Sequence, residues 1–294
     1  MTEAATRAPQ STGEQALDPR GALPNLVVSG AQKCGTSGLH YILGTHPEIS
    51  MSSPKELNFF IGERNWSLGV EWYREHFDPE SAVRGESSPN YTTYPHHLGI
   101  AERMHGVVPD AKLILLVRDP LERIAAHWVH NYAKRRERGD LRETLLHPNT
   151  TYVLRSKYHA QLRQFLNFYA LSQVLVIDQA DLRLRRSETL REVFGFLGVD
   201  PDFEHPSFHR ERHRTTRKRR ATALGVRVQP WRRTAVGSRL PKAFWNVLDV
   251  GILGRPIPKP DVRGALGPEV IEVLHEDADR LRELTGRRFE SWSV

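Results

Sequence analysis

The sequence predicts a three-layer α/β fold in which a central, mainly parallel sheet is flanked by helices. Two continuous apolar runs, KLILLV at 112–117 and QVLVI at 173–177, have the composition of strands buried on both faces. A shorter run at 26–28 breaks at Ser29-Gly30 and passes through a polar turn into Leu39, Tyr41, Ile42 and Leu43 at helical spacing. Strand-like and helix-like segments then alternate along the chain, the pattern that right-handed βαβ crossovers produce.

At 294 residues the chain can bury a full core, and 39% hydrophobic with 26% charged residues is the composition of a soluble globular protein. Residues 1–24, rich in Ala, Thr, Ser, Gln and Pro, read as a disordered arm. Residues 25–294 read as a single domain with an irregular Gly-, Pro- and Arg-rich insertion at 225–263. No apolar run approaches the length of a bilayer span, and residues 1–23 lack the apolar stretch of a secretory signal, so neither a membrane span nor secretion is expected. The single cysteine, Cys34, has no intramolecular partner, which suits a reducing cytoplasm. The net charge of +7 favours anionic partners without choosing among a nucleotide, a nucleic acid, an acidic polymer and a membrane surface.

Residues 25–43 read as strand, turn and helix, and the turn is the first functional candidate. It leaves backbone N–H groups unpaired at a helix N-terminus, where the dipole favours negative charge and Gly30, Gly35 and Gly38 permit close approach. It departs from the G-x-x-x-x-G-K-[ST] phosphate loop, because Thr36 stands where the lysine belongs and Lys33 sits earlier in the turn. A nucleoside triphosphate with its metal is therefore a poorer guest than an anion held by backbone, Thr36 and Ser37 and touched by Lys33. An ordinary glycine-containing βα turn is the alternative at this point. Cys34 reads as a small filler rather than a nucleophile.

Pro47 ends the first helix. In SSPKELNFF, Glu56 lies close to Leu57, Phe59 and Phe60, surroundings that raise a carboxyl toward the range of a general base for a hydroxyl. A surface Lys55–Glu56 pair is the alternative. Trp66, Trp72, Tyr73 and Phe77 read as core packing, and GESSPNY at 85–91 as a loop closing an element. The YPHH stretch at 94–97 reads as a helix cap rather than a zinc site, and no metal-ligand cluster is expected.

The strand at 112–117 stops at Arg118-Asp119-Pro120, with Pro120 in the first turn of a helix over 121–138. Arg118 thus stands at the carboxyl end of a central strand, where open α/β sheets bind ligands, and its planar fork suits phosphate. An ion pair with Asp119 or Glu122 is the alternative, and Arg123 reads as structural. Helices follow at 155–170, with Tyr158, Leu162, Phe165 and Leu166 on one stripe, and at 187–197, stopping at Gly198. The basic run HRERHRTTRKRR at 209–220 lacks the interleaved aromatics that stack on single-stranded nucleic acid. It reads as a solvated loop or as a cover for a nucleotide phosphate. An amphipathic helix at 268–284 ends at Gly286.

Taken in order, GAQKCGTSGLHYIL, HPEISMSSPKELNFF, GESSPNY, KLILLVRDPLERIAAHW, YHAQLRQFLNFY with QVLVIDQADL, and VFGFLGV resemble the sulfotransferase family that includes heparan sulfate O- and N-sulfotransferases and their bacterial relatives. The resemblance covers residues 25–199 and resumes in the tail. It implies a P-loop-like fold, with 3′-phosphoadenosine 5′-phosphosulfate (PAPS) as the sulfuryl donor and no metal. By position, Lys33, Cys34, Gly35, Thr36 and Ser37 would hold the 5′-phosphosulfate, with Lys33 at the bridging oxygen. Glu56 would be the base, Arg118 would bind the 3′-phosphate, and Arg217, Lys218 and Arg219 would cover the donor.

Two positions depart from that pattern. Ala126 stands where the family places a serine that helps hold the 3′-phosphate, a bond to a charged group worth roughly 1.5–3 kcal/mol that His127 or a late arginine would have to replace. Ser87 stands where heparan sulfate members often carry a lysine, which argues against a heavily sulfated polysaccharide acceptor. The expectation is a cytoplasmic bacterial enzyme that sulfates a hydroxyl or amine of a carbohydrate, lipid or secondary metabolite, with His40, His46 and His127 as reserve bases. A magnesium-dependent small-molecule kinase is one alternative. A basic nucleic-acid-binding protein is another, but it leaves the loop and Glu56 without a role.

Overall fold

The computed structural model describes residues 21–137, 140–145, 147–209, 219–222, 227–228, 254–258 and 260–294. Its centre is a sheet of five strands, β1 (Leu26–Gly30), β2 (Ile49–Met51), β3 (Val83–Ser87), β4 (Lys112–Val117) and β5 (Val174–Asp178), in the order β2-β3-β1-β4-β5. Every pairing is parallel, and β1 lies in the middle with Leu26 opposite Gly85 on one side and Lys112 on the other. Parallel neighbours need crossovers, which the helices supply. They are α1 (Thr36–Leu43), α2 (Gly69–Arg74), α3 (Ile100–Val107), α4 (Pro120–Ala133), α5 (Leu141–Thr144), α6 (Thr151–Leu154), α7 (Tyr158–Leu166), α8 (Gln179–Leu184), α9 (Arg186–Leu197), α10 (Val262–Ala265) and α11 (Pro268–Thr285). Apart from the sheet, β6 (Arg219–Ala221) pairs antiparallel with β7 (Gly254–Pro256).

The sheet separates two cores, which makes the fold three-layered as expected. Alternate residues of β1 divide between them: Leu26 and Val28 pack with α1, α4, α9 and α11, and Val27 packs with α2 and α3. The second core holds the aromatic group foreseen in the sequence. Tyr73 stacks on Phe59 at 4.3 Å, Phe77 packs edge-on to Tyr73, and Trp66 and Trp72 close over Phe59. No helix among the described residues is long and apolar enough to cross a membrane.

Several local expectations are corrected. The helix expected over 121–138 ends at Ala133. The one expected over 155–170 is shorter, α7 at Tyr158–Leu166, and α6 ends before it at Leu154. Between them Ser156 and Lys157 donate to carbonyls three residues back, and Ser156 Oγ donates to Tyr152 O at 2.9 Å, a side-chain bond that competes with the helical ladder. GESSPNY does not begin as a loop, since Gly85, Glu86 and Ser87 complete β3. The YPHH histidines do not cap α3, whose N-cap is Gly99. Gly198 and Gly286 end α9 and α11 in the left-handed conformation, as expected. The N-terminal arm, except residues 21–24, and most of 225–263 lie outside the described residues.

Candidate active site

The turn between β1 and α1 is built from residues that tolerate its backbone. Gly35 has φ 103° and Lys33 φ 76°, and a Cβ on Gly30 would lie 2.1 Å from Thr92 Oγ1. Ala31 N–H donates to Leu116 O at 2.7 Å, tying the turn to the end of β4. Among the described residues no side chain caps α1, so the N–H groups of Thr36 and Ser37, which have no acceptor within the helix, are left for a ligand. Cys34 is fully buried with Sγ 3.5 Å from Tyr158 Oη, and burial pushes its thiol pKa up. It is a filler in that position, so any contact it makes to an anion would come from its backbone.

Beneath the turn lies Arg123, fully buried, which donates to Gln32 O (3.2 Å), Tyr152 O (2.7 Å), Ser156 Oγ (3.0 Å) and His127 Nδ1 (3.0 Å). Its structural reading holds. Four acceptors compensate its desolvation and fix the loop backbone against α4 and α6.

A cleft of about 1390 Å³ opens at the carboxyl ends of the strands, where the fold rule places ligands. Lys33, Gly35, Thr36, Ser37, Arg118 and Glu56 all line it, so the structure brings most of the expected residues to one space. Glu56 is the only carboxylate among the described residues that line it, against Lys33, Arg64, Arg118, Lys134, Arg136, Arg155, Arg183 and Arg186. That balance suits a multiply charged anion.

Arg118 stands at the end of β4 as expected and also pairs with Glu122, at 2.8 Å. Asp119 caps α4 by accepting from Glu122 N–H at 2.9 Å and takes a second bond from Ser293 N–H. Ala126 is buried and is not among the cleft-lining residues. Arg217 and Lys218 lie outside the described residues, and Arg219 begins β6.

The surroundings expected for Glu56 are corrected. Leu57, Phe59 and Phe60 are buried in the second core, whereas the Glu56 side chain is 44% exposed and paired with Lys55 at 3.1 Å. Lys55 does more than neutralise it. Its Nζ also donates to Thr36 Oγ1 (3.4 Å) and Ser87 O (3.2 Å), so one ammonium joins the base candidate to the anion turn and to β3. Burial lowers the Lys55 pKa, and Glu56 opposes that shift.

The segment carrying Glu56 is held by a group that sequence reasoning missed. Glu86 is fully buried and accepts from Tyr73 Oη (2.7 Å), Tyr91 Oη (2.7 Å) and Ser88 Oγ (2.5 Å), with Leu57 N–H as a fourth donor. Burial raises its carboxyl pKa, and those donors oppose the rise. Tyr91 Oη in turn accepts from Phe59 N–H at 2.9 Å, and Ser88 Oγ from Asn58 N–H at 2.9 Å. Successive N–H groups next to Glu56 are thus bonded to side chains of the 85–91 stretch. The signal was an acid flanked by hydroxyl and tyrosine donors.

The reserve bases separate. His46 is buried against Phe194 and Phe203 and does not line the cleft. His40 Nδ1 bonds Ser87 Oγ at 2.9 Å, and burial with Lys55 nearby brings its pKa down to about 4. His127 lines the cleft, where burial, Arg123, Arg155 and Lys33 depress its pKa far below the usual range. Among the described residues no group of three or more His, Cys, Asp or Glu could hold a metal ion.

A parallel sheet with a helix N-terminus and a cationic cleft at its carboxyl edge is the architecture of an α/β protein of the P-loop type. Comparison with known proteins makes the assignment specific. The sulfotransferase domain matches residues 23–225, and the chain belongs to the sulfotransferase family. It is 31% identical over 206 residues to the bifunctional heparan sulfate N-deacetylase/N-sulfotransferase 4 of Mus musculus, covering 62% of this chain and 23% of that protein. It is 36% identical over 132 residues to the membrane-associated sulfotransferase kil1 of Dictyostelium discoideum, covering 42% of this chain and 27% of that one. The chain thus spans about a quarter of the length of these relatives. A crystallised sulfotransferase from Alicyclobacillus acidocaldarius superposes with a TM-score of 0.64 at 25% identity, over 93% of this chain and all of the other.

Proposed function

We propose that this chain transfers the sulfuryl group of PAPS to a hydroxyl or amine of a carbohydrate, lipid or secondary-metabolite acceptor. The observation that carries the reading is the meeting in one cleft of the uncapped α1 turn with Lys33 and Thr36, the strand-end guanidinium of Arg118, and Glu56. In this reading the N–H groups of Gly35, Thr36 and Ser37 hold the 5′ end of the donor, and Arg118 holds its 3′-phosphate. Arg217, Lys218 and Arg219 close over the nucleotide.

Glu56 takes the proton of the acceptor as the acceptor oxygen or nitrogen bonds to sulfur. The sulfur–oxygen bond to the phosphate breaks, its electron pair stays on the phosphate oxygen, and Lys33 stabilises that charge. Positioning and fixed electrostatics do the work, as in phosphoryl transfer. The transferred group carries less charge than a γ-phosphoryl group, so no metal is needed to neutralise it. Exposure of Glu56 to the cleft suits this role, since a base must reach the acceptor.

The test is transfer of radiolabelled sulfate from PAPS to a panel of hydroxylated and aminated acceptors, with and without chelator. Transfer that persists in chelator and falls by about 10²–10⁴ in Glu56→Gln supports the reading. Transfer from ATP alone, abolished by chelator, would replace it with a kinase.

A further inference from the structure

Arg155 occupies the break between α6 and α7 and lines the same cleft. Its Nη2 donates to two neutral acceptors, Pro89 O at 3.3 Å and Asn90 Oδ1 at 3.2 Å, and its Nε is buried without an acceptor among the described residues. No carboxylate of the described residues pairs with it.

The contrast with its neighbours is informative. Arg118 has Glu122, and Arg123 has four acceptors. Burial, then the like charges of Arg123 and Arg64, pull its pKa down to about 9, and Cys34 and Glu56 only partly oppose them. A half-buried cation with no counter-charge on it is costly unless a ligand completes it. Its place in the fold says where that ligand sits. Arg155 lines one cleft with the anion turn, Lys33 to Ser37, and with Glu56. The guanidinium therefore shares its space with the donor turn and the base.

We propose that Arg155 is a further catalytic residue, an oxyanion subsite that takes the non-bridging oxygens of the sulfuryl group as it crosses from donor to acceptor. This rests on the sulfotransferase reading above. A guanidinium fork matches the edge of a tetrahedral or planar trioxide, and a fixed cation facing those oxygens stabilises the transition state without reorganising. The subsite adds no chemical step and leaves the proton with Glu56.

The probe is inorganic sulfate, titrated calorimetrically into the protein saturated with 3′-phosphoadenosine 5′-phosphate (PAP). The wild-type PAP complex is expected to take up one sulfate. Arg155→Met weakens that uptake at least tenfold while holding PAP within about twofold, and Arg155→Lys, which keeps the charge and loses the fork, falls between them. Turnover with PAPS should show the same order, with kcat reduced and KM for PAPS unchanged. Should Arg155→Met fail to fold, Arg155→Lys carries the test with a several-fold loss of sulfate affinity. Absence of PAP binding in the wild type overturns the sulfotransferase reading and the subsite with it. PAP binding without sulfate uptake, sulfate uptake undiminished in the variants, or a loss confined to KM for acidic acceptors overturns the subsite alone.

Discussion

Glu86→Gln isolates the network that holds the Glu56 segment. The substitution keeps the volume of the side chain but leaves one carbonyl oxygen where two carboxylate oxygens now serve Tyr73, Tyr91, Ser88 and Leu57 N–H. Two hydroxyls can stay on that oxygen. The donors on the other side meet an NH₂ group, so at least one bond to a charged acceptor is lost, at about 1.5–3 kcal/mol. Against a typical domain stability of about 5–15 kcal/mol this is readily measured by urea unfolding at pH 7. Because Asn58 and Phe59 N–H groups hang on Ser88 and Tyr91, the loss also loosens the chain beside Glu56, and kcat should fall roughly ten- to a hundredfold. PAP affinity should hold, since the network does not touch residues 33–37. An unfolding midpoint and kcat equal to wild type would refute the argument that Glu86 organises the base.

Lys55→Met removes the ammonium shared by Glu56, Thr36 and Ser87 O and should lower kcat/KM by about tenfold or more, a loss of about 1.4 kcal/mol of transition-state stabilisation, with little effect on the unfolding midpoint. Steady-state kinetics beside urea unfolding check this. Asp277 accepts from His159 N–H (2.9 Å) and Ala160 N–H (3.0 Å) at the start of α7, and burial raises its pKa from 3.8 to about 6. The folded state thus holds this proton more tightly than the unfolded chain, so its stabilisation is full below about pH 4 and is lost as pH rises through about 6. The difference is about 3 kcal/mol across that window. Unfolding free energies measured from pH 4 to 7 should show this slope in wild type and a flatter one in Asp277→Asn.

The sheet was readable because its signal is physical and local: strands buried on both faces have to be continuously apolar, and KLILLV and QVLVI are. Arg118 was placed correctly for the same reason, since a charged residue directly after such a run has to emerge at the strand end. The α1 turn was legible from its glycines. Glu56 was singled out on a mistaken environment, because sequence proximity to Leu57, Phe59 and Phe60 does not say which way side chains point. Those three enter the core while Glu56 faces the cleft. The roles of Glu86, Lys55 and Arg155 were not legible because they come from contacts between separate segments, such as Tyr73 to Glu86, Lys55 to Ser87 and Arg155 to Asn90, which no local pattern encodes. The start of α7 at Tyr158 rather than at Arg155 was hidden because the stripe from Tyr158 to Leu166 marks a helical face and not where the helix begins.

The central claim is that the cleft seats a doubly phosphorylated adenosine between the α1 turn and Arg118. Calorimetric titration of PAP tests it most directly. The account predicts saturable one-to-one uptake in chelator, weakened roughly ten- to a hundredfold by Lys33→Ala and by Arg118→Met, in line with one lost bond to a charged group in each. No heat of PAP binding, or affinities in both variants equal to wild type, would contradict it.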